Sequence, residues 1–208
     1  MGRVPVLRSE RFRVDGVAAR DVAAAFQRAN STPDDPLVRA AYGQLSDQVD
    51  KWFTMLTRSG AQPTRVAFTA SAEAYADASE LAQSVRLHHV LEIQSVGDDH
   101  DRRHPLLDPS KGGVHDRFRA VHDIVSHGRS GHSFDRDGEY SAWRSESRMY
   151  GGLAAWALAT ELHAHHSVRW TSGELAPYKA VLLERSLLAT SIQAATPIDP
   201  GAGPPPGP

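Results

Sequence analysis

Val114 to His127 reads VHDRFRAVHDIVSH, and the chain beyond it runs through FDRDGE (134–139), AWRSESRMY (142–150) and ALATELHAHH (157–166). All 11 histidines lie between His88 and His166, and seven of them fall between Val114 and His166. Histidine and carboxylate recur here at helical spacing among Phe118, Val121, Trp143, Tyr150 and Trp156. Titratable groups interleaved with large apolar ones predict packed helices around a half-buried site, and the chemistry that suits such a set is a metal centre.

The flanking sequence supplies the rest of the fold. On the N-terminal side, 17–29 and 36–58 read as helices, the first rich in strong helix formers and the second opened by Pro36. Val17, Ala18, Val22, Ala25, Phe26 and Ala29 share one side of the first; Leu37, Ala41, Leu45, Val49, Trp52, Phe53 and Leu56 are the apolar positions of the second. A β-textured segment follows: strand 65–69, helix 71–86 capped by Ser71, strand 88–96. A long polar connection, 97–113, leads into helix 114–127. Helices 139–150 and 153–166 come next, then a short extended piece at 168–170 and a last helix from Pro177. The fold class expected is α+β, mostly α: a helical bundle with a small two- or three-stranded sheet. Three regions are expected: an extended N-terminal segment at 1–13, a single globular domain at 14–195, and a disordered Pro/Gly tail at 196–208.

Composition narrows the chemistry. The chain has 208 residues, no cysteine and a formal net charge of -2. Disulfides, thiolate metal sites and cysteine nucleophiles are excluded, so any metal must take nitrogen and oxygen ligands. The near-zero charge gives no strong field for nucleic acid or an anionic membrane. No apolar run is long enough to span a membrane and no secretory leader is read, so a cytoplasmic protein acting on a small-molecule substrate is expected. The oligomeric state is open, a homo-oligomer included.

Spacing ranks the candidates. His115, Arg119 and Asp123 stand at i, i+4, i+8, and Asp123 and His127 are again four apart, so they reach toward one space. His122 and His127 are five apart, a poor ligand pair on an ideal helix unless the helix ends near Ser126. The segment offers two nitrogens and a carboxylate to one centre, or two nitrogens with Asp123 orienting a ring. Glu139 shares a face with Trp143, Glu146 and Tyr150; it serves either as ligand or catalyst or as a charge that suits the helix start. Glu146 reads as a solvated or paired charge. Glu161 follows an apolar run that predicts burial, so it needs a metal, a histidine or an arginine, Arg119 being the arginine at hand. His163, His165 and His166 cannot all face inward on an ideal helix, which puts at least one on the surface.

These segments carry a resemblance. HPLL (104–107), FRAVHDIVSH (118–127), FDRDGEYSAW (134–143), RMY (148–150) and ATELHAHHS (159–167) resemble a family of uncharacterised actinobacterial proteins and a domain of large phage and mobile-element polyproteins. The similarity covers roughly 65–188 and implies that His122, Asp123, His127, Glu139 and Glu161 form the functional set. It supplies no activity. The chain departs from the phage form at His163 to His166, where that form has RGQN, and at Ser126, where it has Gly. The resemblance therefore says nothing for His165 or His166. AVHDI is also similar to the His-Asp doublet of HD-type metal phosphohydrolases. Those need an upstream histidine, a place open to His88, His89, His100 or His104. They also need a later aspartate, whose place Glu139 or Glu161 must take here.

The function expected is a metal-dependent enzyme, with hydrolysis favoured. His122, His127 and one of Glu139 or Glu161 hold zinc or iron(II), and Asp123, Glu139 and Arg119 supply catalytic or supporting groups. One alternative is a non-haem iron oxygenase, mononuclear or dinuclear, the dinuclear form built on Asp123/His127 and Glu161/His165. The other is a non-enzymatic binding module with a buried polar network.

Overall fold

The computed structural model describes residues 10–59, 62–70, 74–96 and 103–198. Two long helices open it. α1 (Gly16–Arg28) starts where Asp15 accepts the backbone N–H groups of Val17 and Ala18, and buries Ala18, Ala19, Val22, Ala23 and Phe26. Its last carbonyls are closed from outside: Lys179 Nζ donates to Phe26, Gln27 and Ala29. α2 (Pro36–Arg58) repeats the design, with Asp35 as cap, Pro36 in the first turn and a buried stripe of Val38, Ala41, Tyr42, Leu45, Val49 and Leu56. Val17 and Leu37 fall off these stripes and are exposed.

β2 (Arg65–Thr69) and β3 (Val90–Gln94) pair in parallel, Arg65 opposite Val90, joined across α3 (Ala78–Gln83). α4 (Val114–His122), α5 (Arg136–Glu146), α6 (Ala154–Ala159) and α7 (His165–Ser172) follow. α2 packs on α4 and α6, and α1 packs on α7 and on α8 (Arg185–Ala194). Leu45, Val121, Ile124, Ala157 and Leu158, all fully buried, lie in the resulting core. Each such leucine or isoleucine contributes roughly 1.5–3 kcal/mol by leaving water. The mostly-α, α+β class is as the sequence predicts, and no helix among the described residues is long and apolar enough to cross a membrane.

The termini depart from expectation. Arg11–Arg13 is a strand, β1, paired antiparallel with β4 (Thr196–Ile198), so the domain extends beyond 14–195 at both ends. The Phe12 N–H donates to Ser141 Oγ at 2.9 Å, and the Phe12 ring meets Tyr140 edge-on at 6.3 Å. The rest of the expected extended segment and tail, 1–9 and 199–208, lies outside the described residues, as does Ser71. The helix expected from Ser71 is shorter: Asp77 caps it at Ala78.

Boundaries shift for traceable reasons. The segment expected to be helical from Pro177 stays extended to Glu184, because its backbone bonds elsewhere. Val181 O accepts Thr160 Oγ1, Leu183 O accepts Trp156 Nε1, and Ala180 exchanges bonds with Ser31 and Thr32. Val168 to Trp170 lies inside α7 rather than in an extended piece. α5 starts at Arg136, three residues before Glu139, capped by Asp135, and gives way to a 3₁₀ turn at Ser147.

Three helices change pitch. Ser84–His88 after α3, Asp123–Arg129 after α4 and Thr160–Ala164 after α6 are π-helical, with i→i+5 bonding. The helix expected to stop at His127 thus continues to Arg129, where Arg86 donates to the carbonyls of Gly128 and Arg129. His88 lies in the first π turn, exposed, and His89 ends it with φ 53°, rather than either decorating a strand.

Candidate metal centre

The π turn after α4 decides the site. Bonds from residue i to i+5 stack residues five apart, so His122 and His127 come to lie side by side. Their Nε2 atoms are 3.1 Å apart. No helix end at Ser126 is needed. Gly128 makes the turn possible: a Cβ there would stand 2.8 Å from Val85, which packs against it from the turn after α3.

Both rings are oriented from behind. His122 Nδ1 donates to Glu146 Oε2 at 2.7 Å, and Ser126 Oγ donates to the same oxygen at 3.2 Å. His127 Nδ1 donates to the His132 carbonyl at 2.8 Å. With each Nδ1 carrying the proton, the neutral rings turn two Nε2 lone pairs toward each other. That contact is repulsive unless a cation or a proton lies between them. A carboxylate or carbonyl behind each ring is the usual support of a metal-bound imidazole.

Glu139 closes the triangle. Its Oε2 lies 3.5 Å from His122 Nε2 and 3.6 Å from His127 Nε2, and it has no hydrogen-bond partner. Bonds of about 2.0–2.1 Å at tetrahedral angles place ligand atoms roughly 3.3–3.4 Å apart. The three edges, 3.1, 3.5 and 3.6 Å, surround that value. His166 Nε2 is 3.5 Å from the same Glu139 oxygen, and Asp123 offers an atom within 4.8 Å of those of His122 and His127. A divalent ion with nitrogen and oxygen preference fits this donor set.

Without an ion, the surrounding carboxylates favour a proton in its place. Burial would push the His122 pKa down, but the carboxylates of Glu146 and Glu139 outweigh it and hold the ring well above its ordinary value. Burial would raise Glu139, yet His166, His122 and His127 hold it well below the usual carboxylate range. Asp123 is half-buried and raised, chiefly by desolvation.

Glu161 is not part of this triangle, contrary to one of the two ligand sets expected. Its Oε1 accepts the Tyr42 hydroxyl at 2.6 Å and stands 3.3 Å from His104 Nε2. Burial would raise its pKa, but His104 and His165 outweigh that and bring it to about 2. Arg119 is not its partner: Arg119 Nη1 donates to the Gln94 carbonyl at 2.8 Å. His165, expected as a ligand, packs on Phe26 and Tyr178, at ring distances of 5.0 and 5.2 Å, away from His122 and His127. His163, His165 and His166 all avoid the exposed surface, because the π turn before α7 and the start of α7 are packed on different sides. His163 stacks on Trp143 and bonds Ser191, His165 meets Phe26, and His166 faces Glu139.

One cavity of about 480 Å³ joins these groups, lined by His122, Asp123, His127, Glu139, Glu161 and His165, with Arg119 and His115 in its walls. Neither His88 nor His89 lines it, and His100 lies outside the described residues. Spacing alone missed Glu146, the His132 carbonyl and His166. By its spacing Glu146 reads as a solvated or paired charge; it is paired and fully buried. Its signal was the shared face with Glu139, seven residues away. Comparison with family models, with curated proteins and with solved structures finds no match for this chain.

Proposed function

We propose that this chain is a metal-dependent enzyme holding one divalent ion, zinc or iron(II), on His122 Nε2, His127 Nε2 and Glu139 Oε2, and that it is a hydrolase. The observation that carries the reading is the triangle of three mutually facing donor atoms, each ring fixed from behind by Glu146 or the His132 carbonyl. The five residues that the resemblance implies as functional all line one cavity, which supports the same reading. A purely structural polar network accounts poorly for Glu139 Oε2, a buried carboxylate oxygen that makes no hydrogen bond.

When bound, the ion acidifies a coordinated water and polarises a substrate oxygen. The chain's own groups do the rest. Glu146 and the His132 carbonyl hold the two rings in one tautomer. Asp123, raised by burial and open to the cavity, accepts the proton released from water. His166 Nε2 stands 3.5 Å from Glu139 Oε2, beside the proposed ion. Arg119, tied to Gln94, forms wall rather than catalyst. Glu161 and His165 lie apart from the triangle, which favours a single-ion centre over a dinuclear one.

Metal analysis tests the reading. Wild-type protein reconstituted with zinc or iron(II) should hold about one ion per chain. His122→Ala, His127→Ala and Glu139→Gln should each lose most of it while keeping their helical circular dichroism. A wild-type chain that takes up neither metal would refute the centre. Turnover of ester and amide substrates restored by zinc supports hydrolysis; turnover that needs iron(II) and oxygen transfers the centre to the oxygenase class.

A further inference from the structure

The far wall of the same cavity carries Glu161, His115, His165 and Tyr178, a cluster that the metal reading leaves without a task. Glu161 is 5 % exposed. Tyr42 donates its O–H to Oε1 at 2.6 Å. His104 Nδ1 accepts the Leu106 N–H at 3.3 Å, so the His104 proton sits on Nε2, the nitrogen 3.3 Å from the same carboxylate oxygen. The Tyr42 hydroxyl thus donates to Glu161, and the His104 ring stands beside the same oxygen without a hydrogen bond, both on one side of the carboxylate.

Among the described residues, the nearest lysine and arginine side chains supply it no cation. Lys179 spends its ammonium on three carbonyls of α1, and Arg119 donates to Gln94. Arg169 stands at the exposed rim, over the Trp170 ring. Two more groups on this wall are unsatisfied: His115 Nδ1 and His165 Nε2 are buried and have no hydrogen-bond partner, and His115 is only 4 % exposed. A buried anion that no basic side chain but histidine faces, and buried ring nitrogens without a donor, are each costly. A protonated amine answers both, having one positive charge and up to three N–H donors. The Tyr178 ring, 5.0 Å from His115 and 5.2 Å from His165, adds an aromatic surface of the kind that attracts cations.

We propose that Glu161, His115 and His165 form a subsite for a protonated amine, and that the substrate is a small amine-bearing molecule whose reacting group reaches His122 and His127 at the other end of the cavity. The second half rests on the metal reading; the amine subsite stands on its own residues. A divalent cation is the competing source of charge, and His104, with hydrogen on Nε2, is not disposed to bind one.

Isothermal titration of the zinc-loaded full chain with n-butylammonium, and with 1-butanol as a neutral counterpart, tests it. The ammonium should bind saturably and at least about tenfold more tightly than the alcohol. Histidine ¹⁵N resonances of His115 and His165 should move with the ammonium and not with the alcohol, a reading that needs no variant. Glu161→Gln should abolish the preference, whereas His122→Ala should lose metal and keep it, which separates failure of the subsite from failure of the centre. Equal affinity for the two probes overturns the proposal. So does a preference that survives Glu161→Gln, or a second equivalent of metal that Glu161→Gln removes.

Discussion

His163 is buried against Trp143, its ring stacked at 4.3 Å and its Nε2 bonded to Ser191 Oγ at 2.8 Å. Burial pushes its pKa from the ordinary 6.5 down to about 3. The folded chain therefore refuses a proton that the unfolded chain accepts, and stability is lost as pH falls from about 6.5 toward 3. One such proton is worth about 1.4 kcal/mol per pH unit within that window. Urea unfolding at pH 7, 6 and 5 should show the loss, and His163→Gln should flatten it by about that slope; an unchanged slope would place the proton uptake elsewhere. Glu146 gives a second expectation. Glu146→Gln keeps the shape but weakens the hold on His122 Nδ1, so metal affinity should fall about 10–100-fold by competition with a chelator, with the fold intact. His122, His127 and Glu139 could be picked out in the sequence because their chemistry is rare among apolar neighbours. Glu146 and His166 are harder to pick out, since one stands behind a ring, marked only by the face it shares with Glu139, and the other is one of three histidines within four residues.

The helices carry the candidate site through their irregularity. An ideal helix turns residues five apart away from each other, and the spacing of His122 and His127 looked like a defect on that assumption. The wider turn from Asp123 to Arg129 removes the defect, and it exists where Gly128 lets Val85 approach. Periodicity reading assumes one pitch along a helix, so it found the helices and missed the changes of pitch. Gly128→Ala drives a methyl into Val85 and should cost about 1–3 kcal/mol, measured by chemical denaturation. Val85→Ala in the same chain should recover part of that loss, and strictly additive costs would show that the two residues do not meet. The extended segment before α8 was misread for a related reason: its helix-forming residues have carbonyls already claimed by Trp156 and Thr160.

Across the whole molecule, the pairing of β1 with β4 fastens the ends of the described chain to α5. The Phe12 N–H bonds Ser141, the Val14 N–H bonds Asp137 Oδ1 at 3.0 Å, and Glu10 pairs with Arg148. Glu139 sits between Asp137 and Ser141 on that helix, so the clasp steadies a proposed metal ligand from outside the centre. A chain cut after Ala195 should melt below one cut after Ile198, by roughly 2–4 °C for each kcal/mol lost, and should bind metal more weakly. Equal midpoints and equal affinities would show that β4 is ornamental. Proline and glycine near the C-terminus concealed this strand, because its three residues are held by a partner 185 positions earlier rather than by any pattern of their own.

That partnership also sets an order in time. Arg11 leaves the ribosome long before Ile198 exists, and at about 5–20 residues per second the wait is roughly 10–40 s. Through that interval the newborn chain has made α5 and the residues that grip it, but not the strand that closes over them. The clasp thus closes late, and the enzyme proposed here would have its ligand helix incompletely held until Ile198 has been made.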